Sequence, residues 1–249
     1  MTRRLFSLVF GALAMATGCG HNGPTWTYAG PEGAPPAWST LDPSYAACST
    51  GKSQSPVNIK EVIPRDLPNP VFRYTSAPLR LLNNGRTVVQ TFEPGQSIAI
   101  GNIQYALENL TLHTPSEHRA AGRAFPMEMQ LMHKNAQGNL LILSVLIKEG
   151  RNNPALGHVL AHLPAEADDT FESADVLPLM QLLPKKRTYM RYSGSLTTPP
   201  CWENVTWVVL TDPIEASKDQ ISAFWKILPN NVRPLAPLGR RTVFMDTTP

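Results

Sequence analysis

The sequence predicts a mainly β single domain with a few short peripheral helices. The chain has 249 residues, of which 42% are hydrophobic, and this suits one domain with a large core. Short runs rich in β-branched and aromatic residues alternate with turn signals along most of its length. The 24 prolines favour loops and sheet edges over long helices. No internal repeat, low-complexity tract or second domain is evident.

Six short runs have the composition and length of β-strands. The clearest spans 140–148, and it is almost wholly apolar through Ile147, as expected for a strand buried on both faces. In chain order, the predicted strands cover residues 88–90, 97–100, 105–113, 127–133, 140–148 and 205–210. Spaced in this way, the strands indicate a β-dominated domain.

Two helices are predicted from their start signals. Asn153 followed by Pro154 provides an N-cap and a first helical position, for a helix through His162. Ser217 and Gln220 have the spacing of a capping box, for a helix that ends near Ile227.

The first 18 residues have the pattern of a secretory signal. A basic start at residues 3–4 precedes a short apolar run over 5–16, which is too short to span a bilayer. The run could end at a small-residue cleavage site. It could also end at the lipobox-like sequence 16–19, in which Cys19 would carry a lipid. We favour the lipid anchor, and expect an exported bacterial protein held at the periplasmic face or cell surface. Residues 19–25 would form a tether and 26–249 the domain.

The net charge bears on possible binding partners, and the cysteine count bears on disulfide pairing. The net charge is +3, and it falls to about +1 without Arg3 and Arg4, so nothing indicates nucleic-acid binding. Three cysteines leave one without a disulfide partner unless it has another use.

The most informative segment runs over residues 107–135. Side chains at 109, 111 and 113 share one face of a predicted strand, and those at 128, 130 and 132 share one face of the next. If these strands are neighbours, Thr111, His113 and Gln130 converge.

Six motifs, in order and at matching spacing, resemble the α-class carbonic anhydrases. The central one is the sequence HTPSEH at 113–118. The others are the aromatic residues at 26, 28 and 38, the Gln-Ser-Pro segment at 51–59, the Asn-Asn-Gly at 83–85, the loop and strand at 195–207, and the Asn-Val-Arg-Pro at 231–234. The resemblance implies the family's large, mostly antiparallel central sheet.

The resemblance also implies a metal site in which two ligands are replaced. In the family, three histidines at the positions of Thr111, His113 and Gln130 hold zinc, and a zinc-bound hydroxide attacks carbon dioxide. Only His113 is retained here. A hydroxyl is a poor zinc ligand, and an amide oxygen suits Mg²⁺ or Ca²⁺ better.

Further roles are carried over from the family by position. Glu117 and Thr197 match the pair that orients the zinc-bound hydroxide. Arg86 occupies the proton-shuttle position, where an arginine cannot release a proton near neutral pH. Cys48 and Cys201 match a disulfide found in exported members, which would leave Cys19 for a lipid. The remaining matches are the pocket residues Met132, Ile142, Leu196, Thr198 and Trp207, and the ligand-supporting residues Asn109 and Glu128.

Two functions follow from this pattern. The favoured hypothesis is an acatalytic family member with a binding or structural role, no cofactor, and an unknown protein or a small anion near Arg86 as partner. In it, His113 is a core histidine, and Glu117, His118 and Tyr192 form a buried polar network. The alternative is a residual carbonate dehydratase with an atypical zinc site of His113, Gln130 and either water or Thr111.

Overall fold

A mixed sheet of thirteen strands dominates the computed structural model, which describes residues 25–248. The order of strands along its main path is β11-β4-β5-β7-β9-β10-β13-β12-β15-β2, with β6 and β3 attached beside β7 and β14 beside β10. The remaining two strands, β1 and β8, form a small parallel sheet. The strands are β1 Asn58–Ile59, β2 Ile63–Arg65, β3 Val71–Arg73, β4 Ser76–Asn83, β5 Val88–Thr91, β6 Ser97–Ile100, β7 Ile103–His113, β8 Arg119–Ala120, β9 Met127–Lys134, β10 Leu140–Glu149, β11 Thr170–Pro178, β12 Tyr189–Ser195, β13 Glu203–Leu210, β14 Ile214–Ala216 and β15 Phe244–Asp246.

The predicted mainly β fold is confirmed, and all six predicted strands are present within two residues of their expected ends. Most neighbours in the large sheet pair antiparallel, while β10 runs parallel to β13 and β14, and β15 runs parallel to β2. Several strands were not predicted, among them β4, β11 and β12. The strand β4 alternates buried and more exposed residues, but it contains Pro78, which disfavours a strand assignment. Its partner β11 lies at the sheet edge, is mostly exposed and has no clean apolar pattern.

Short helices lie at the periphery. They are α1 Trp38–Leu41, α2 Ala47–Thr50, α3 Pro154–Leu160 and α4 Lys218–Ile227, with 3-10 turns at Pro35–Ala37, Pro43–Tyr45 and Leu179–Leu182. The Asn153 side chain caps α3, which ends two residues before the predicted His162. The predicted capping box of α4 is formed in full by Ser217 and Gln220.

Apolar side chains form a core on each side of the sheet. The larger cluster includes Leu110, Leu112, Met129 and Leu131 from β7 and β9. The smaller one lies on the opposite side and includes Ile142 and Trp207. Since β7 and β9 bury one face in the larger core, their other face is free to form a polar site.

A disulfide joins Cys48 in α2 to Cys201 in the loop before β13, which confirms the pairing expected from the family. Cys19 and the predicted signal segment lie outside the described residues, as do most of the tether and the last residue of the predicted domain. Between residues 25 and 248, no helix is long and apolar enough to cross a membrane.

Candidate functional site

A small cavity of about 190 Å³ opens on the polar face of β7 and β9. Its floor is formed by Thr111, His113 and Gln130. Its walls and mouth are lined by Trp26, Tyr28, Asn84, Arg86, Thr87, Val89, Asn109, Met132, Ile142, Leu196, Thr197 and Thr198.

The sheet register brings the three floor residues together, as predicted. Thr111 on β7 lies directly opposite Gln130 on β9, and His113 follows two residues later on the same face. The Thr111 Oγ1 and His113 Nε2 atoms are 3.3 Å apart.

The Gln130 side-chain amide is held by hydrogen bonds between two buried carboxylates. Its Nε2 atom donates to Glu117 Oε2 at 2.8 Å and to Glu128 Oε1 at 3.1 Å. A primary amide has two N–H donors, so both are used. Because an ionised carboxylate can only accept, the NH₂ group of Gln130, and not its carbonyl oxygen, must face the two glutamates. The Gln130 carbonyl oxygen accepts no hydrogen bond from the described residues, and the side chain lines the cavity.

The orientation of the His113 ring is equally determined. Its Nδ1 atom lies 2.8 Å from the backbone carbonyl oxygen of Asn231, so Nδ1 carries the proton. The Nε2 atom then faces the cavity beside Thr111. The Asn231 side chain holds this segment in place by accepting from the Thr114 backbone N–H.

A polar network lies behind the floor. Glu128 is fully buried and accepts from the backbone N–H of His118 and from the Gln130 amide and the Ser144 hydroxyl, and its Oε1 lies 2.9 Å from His118 Nδ1. Burial raises the pKa of Glu128, but the charge and hydrogen bonds of His118 outweigh it and bring the pKa to about 2. His118 continues the network to the Tyr192 hydroxyl at 2.6 Å.

Zinc is the metal implied by the resemblance, and these side chains do not fit it. The floor offers one imidazole, one hydroxyl and one amide, whereas zinc sites use imidazole, thiolate and carboxylate ligands. The Gln130 amide is already hydrogen-bonded to the two carboxylates, Glu117 and Glu128. In the described part of the chain, no group of three or more His, Cys, Asp or Glu side chains is arranged to hold a metal ion.

Four of the five predicted pocket residues line the cavity: Met132, Ile142, Leu196 and Thr198. Trp207, the fifth, is not among the residues that line the cavity. Its ring is fully buried, 4.6 Å from the His118 ring, and its indole N–H donates to the Ser195 carbonyl at 2.9 Å. Trp207 thus packs against the polar network through His118.

The proposed partnership of Glu117 and Thr197 is not formed by a hydrogen bond between the two residues. Thr197 lines the cavity, but Glu117 accepts from Gln130 and from the Arg233 backbone N–H. Because Gln130 donates directly to Glu117, it takes an acceptor site on the Glu117 carboxylate that a threonine could otherwise use.

Arg86 stands at the cavity mouth, as predicted. Its Nε donates to the Trp26 backbone carbonyl at 2.7 Å, and its guanidinium lies 4.5 Å from the centre of the Trp26 ring. The predicted support residue Asn109 lines the cavity too.

Sequence reasoning did not assign Tyr28 or Val89 to the cavity. Burial, followed by the charge of Glu117, raises the pKa of the Tyr28 hydroxyl well above its usual value, so it stays neutral. The aromatic motif at 26–28 was a usable signal for Tyr28. No comparable signal marked Val89, which enters because β5 pairs with β7.

Comparison with known proteins agrees with this architecture. The family described as "Eukaryotic-type carbonic anhydrase" matches residues 33–247. A carbonic anhydrase of Pectobacterium carotovorum is 36% identical over 219 residues, covering 88% of this chain and 89% of that protein.

Two solved structures extend the comparison. An α-carbonic anhydrase of Thermovibrio ammonificans, solved with the inhibitor sulfanilamide, has a TM-score of 0.87 at 35% identity and covers 89% of this chain and 99% of its own. A dioscorin solved with ascorbate has a TM-score of 0.82 at 30% identity and covers 89% and 97%. The sheet, the cavity and these matches together show that the chain belongs to the α-class carbonic anhydrase family.

Proposed function

We propose that this protein is an exported, lipid-anchored member of the family whose cavity binds a small ligand and does not hydrate carbon dioxide. The observation that carries the proposal is the Gln130 amide, which bridges Glu117 and Glu128 at the position where the family resemblance implies a metal-binding imidazole. Thr111 stands at a second such position. A single remaining imidazole, that of His113, would leave the zinc site far short of the three protein ligands that catalytic zinc requires.

A binding role for the cavity is supported by its lining and its volume. Aromatic and apolar side chains line it together with the polar floor, and a cavity of about 190 Å³ has room for roughly six water molecules. Among the relatives, dioscorin was solved in complex with ascorbate, so one protein of this fold binds a small organic molecule. The basic and apolar pattern of the first 18 residues, followed by Cys19, supports export and anchoring.

Carbon dioxide hydration is the second candidate function. The relatives from Pectobacterium carotovorum and Klebsiella pneumoniae, at 36% and 37% identity, are named carbonic anhydrases. Met132, Ile142 and Leu196 also keep an apolar wall beside the floor. An atypical metal site would have to use the His113 Nε2 atom and the Gln130 carbonyl oxygen.

Metal analysis and a hydration assay separate the two functions. We expect the purified protein, dialysed against micromolar zinc, to hold well below one zinc per chain and to hydrate carbon dioxide at the background rate. Stoichiometric zinc together with sulfonamide-sensitive hydration would overturn the acatalytic proposal. Mass spectrometry of the membrane-bound protein tests the anchor separately, since a lipid-bearing Cys19 is expected at its N-terminus.

A further inference from the structure

The floor of the cavity presents acceptors to whatever enters it. Two of them are fixed by their other hydrogen bonds. His113 must offer the Nε2 lone pair because its Nδ1 proton is donated to the Asn231 carbonyl. Gln130 must offer its carbonyl oxygen because both amide protons are donated to Glu117 and Glu128. The Thr111 hydroxyl lies beside them and donates its proton to His113 Nε2 at 3.3 Å. A hydroxyl proton rotates freely, so a stronger donor that enters the cavity can take its place at Nε2, and the lone pairs of Thr111 Oγ1 stay available to the same ligand.

From this arrangement we propose that the floor recognises a hydrogen-bond-donating head group, of which a primary ammonium is the best match. A primary ammonium has three N–H donors, and the floor offers three acceptor atoms on Thr111, His113 and Gln130. This inference rests on the proposed function, because it applies to a floor without metal.

The charges behind the floor favour the same class of ligand. Glu117 and Glu128 are both almost fully buried, directly behind the Gln130 amide. A bound zinc ion would bring two positive charges to this place, and the Gln130 amide brings none. An unpaired anion at the floor would therefore meet lone pairs and lie near two carboxylates, at a cost in free energy.

Arg86 does not reverse this preference at the floor. Its guanidinium lies at the mouth, over the Trp26 ring, and is hydrogen-bonded to the Trp26 carbonyl. A small anion attracted by Arg86 would stay at the mouth, whereas an ammonium can reach the three acceptors. A cavity of about 190 Å³ suits a small ligand or the head group of a larger one.

Four probes test the proposal on the intact folded domain. Methylammonium carries a charge and three donors, whereas tetramethylammonium carries the same charge and no N–H. Acetate and thiocyanate are small anions. Nitrogen-15 NMR of the His113 ring reads the site directly, because the Nε2 resonance responds to a donor that approaches its lone pair. We expect methylammonium to shift this resonance saturably, and the other three probes to leave it unchanged.

A matched pair of variants tests the contacts. Thr111→Val keeps the shape of the side chain and removes its oxygen, and we expect methylammonium affinity to fall roughly tenfold. Thr170→Val makes the same change on the exposed end of β11, and affinity should stay unchanged. Equal shifts from tetramethylammonium, binding of either anion at His113, or no response to methylammonium would each overturn the proposal.

Zinc content and the response to methylammonium separately test the proposed function and the proposed ligand class. A protein that lacks zinc and ignores methylammonium would overturn only the ligand class. Stoichiometric zinc in the same preparation would overturn the acatalytic proposal itself.

Discussion

At the residue scale, the neutral side chain of Gln130 accounts for how two buried carboxylates are accommodated beneath the cavity floor. Glu117 and Glu128 are buried close together, and each needs donors to offset the loss of water. Gln130 serves both at once with the two protons of a single amide. Glutamine at this position is therefore a structural solution in its own right, because it supplies a hydrogen bond to each carboxylate without a metal.

Replacing Gln130 with leucine should destabilise the fold. The variant Gln130→Leu keeps a similar volume but removes a donor from each carboxylate, and we expect the free energy of unfolding to fall by roughly 3 kcal/mol. Urea denaturation measures the loss. The control Gln137→Leu lies in the exposed turn between β9 and β10 and should have little effect. A change for Gln130→Leu as small as that of the control would show that the bridge contributes nothing.

At the scale of elements, the pairing of β7 with β9 creates the site. A bulge between Leu107 and Asn109 shifts the alternation of β7, so that Leu107 and Leu110 both reach the larger core. Residues 109, 111 and 113 consequently face the cavity. Because side chains alternate between faces, a slip of one residue in either strand would bury Thr111 or Gln130 in the core.

This register predicts that a metal site can be built by two substitutions. The double variant Thr111→His with Gln130→His should place three imidazoles on one face and bind one zinc per chain, with at least slow carbon dioxide hydration. Each single variant should bind zinc weakly, because two imidazoles are an incomplete set. Calorimetry and metal analysis measure the binding.

Adding Arg86→His to the double variant should raise the hydration rate when external buffer is scarce, since arginine cannot release a proton. A folded double variant that stays free of metal in excess zinc would show that the three side chains do not converge in solution.

At the scale of the whole molecule, buried polar groups link stability to pH. His133 on β9 is fully buried, with its Nε2 atom 2.5 Å from the Tyr74 hydroxyl. Burial disfavours its charged form and lowers its pKa from 6.5 to about 4. The unfolded chain therefore takes up a proton that the folded protein does not, between pH 6.5 and 4.

Acidification through this range should destabilise the protein by roughly 3 kcal/mol, because the unfolded state binds more protons there. Below pH 4.5, protonation of Glu128 in the unfolded state adds to the loss until its folded pKa of about 2 is reached. Thermal melts across pH 7 to 4 measure the first step. The variant His133→Gln should reduce the loss of thermal stability between pH 7 and 4. The control His158→Gln, on the exposed face of α3, should leave that loss unchanged. An unchanged profile in His133→Gln would assign the acid sensitivity elsewhere.

Local patterns in the sequence determined six of the strands, the starts of α3 and α4, and the common face of residues 109, 111 and 113. Periodicity and capping are short-range, so Leu140–Glu149 and the Ser217 capping box could be predicted without knowledge of their neighbours. The family motifs added the convergence of Thr111 with Gln130 and the disulfide between Cys48 and Cys201.

Only the tertiary structure decided which partners the buried polar groups take. Family position paired Glu117 with Thr197, but the distances between loop and strand bring the Gln130 amide to Glu117 instead. Trp207 was assigned to the cavity by position, but the packing of His118 places it behind the site. The polar edge strand β11 also escaped prediction, because it is stabilised by pairing with β4 and carries no apolar pattern of its own. Each of these outcomes depends on contacts between residues far apart in the chain, which local patterns do not encode.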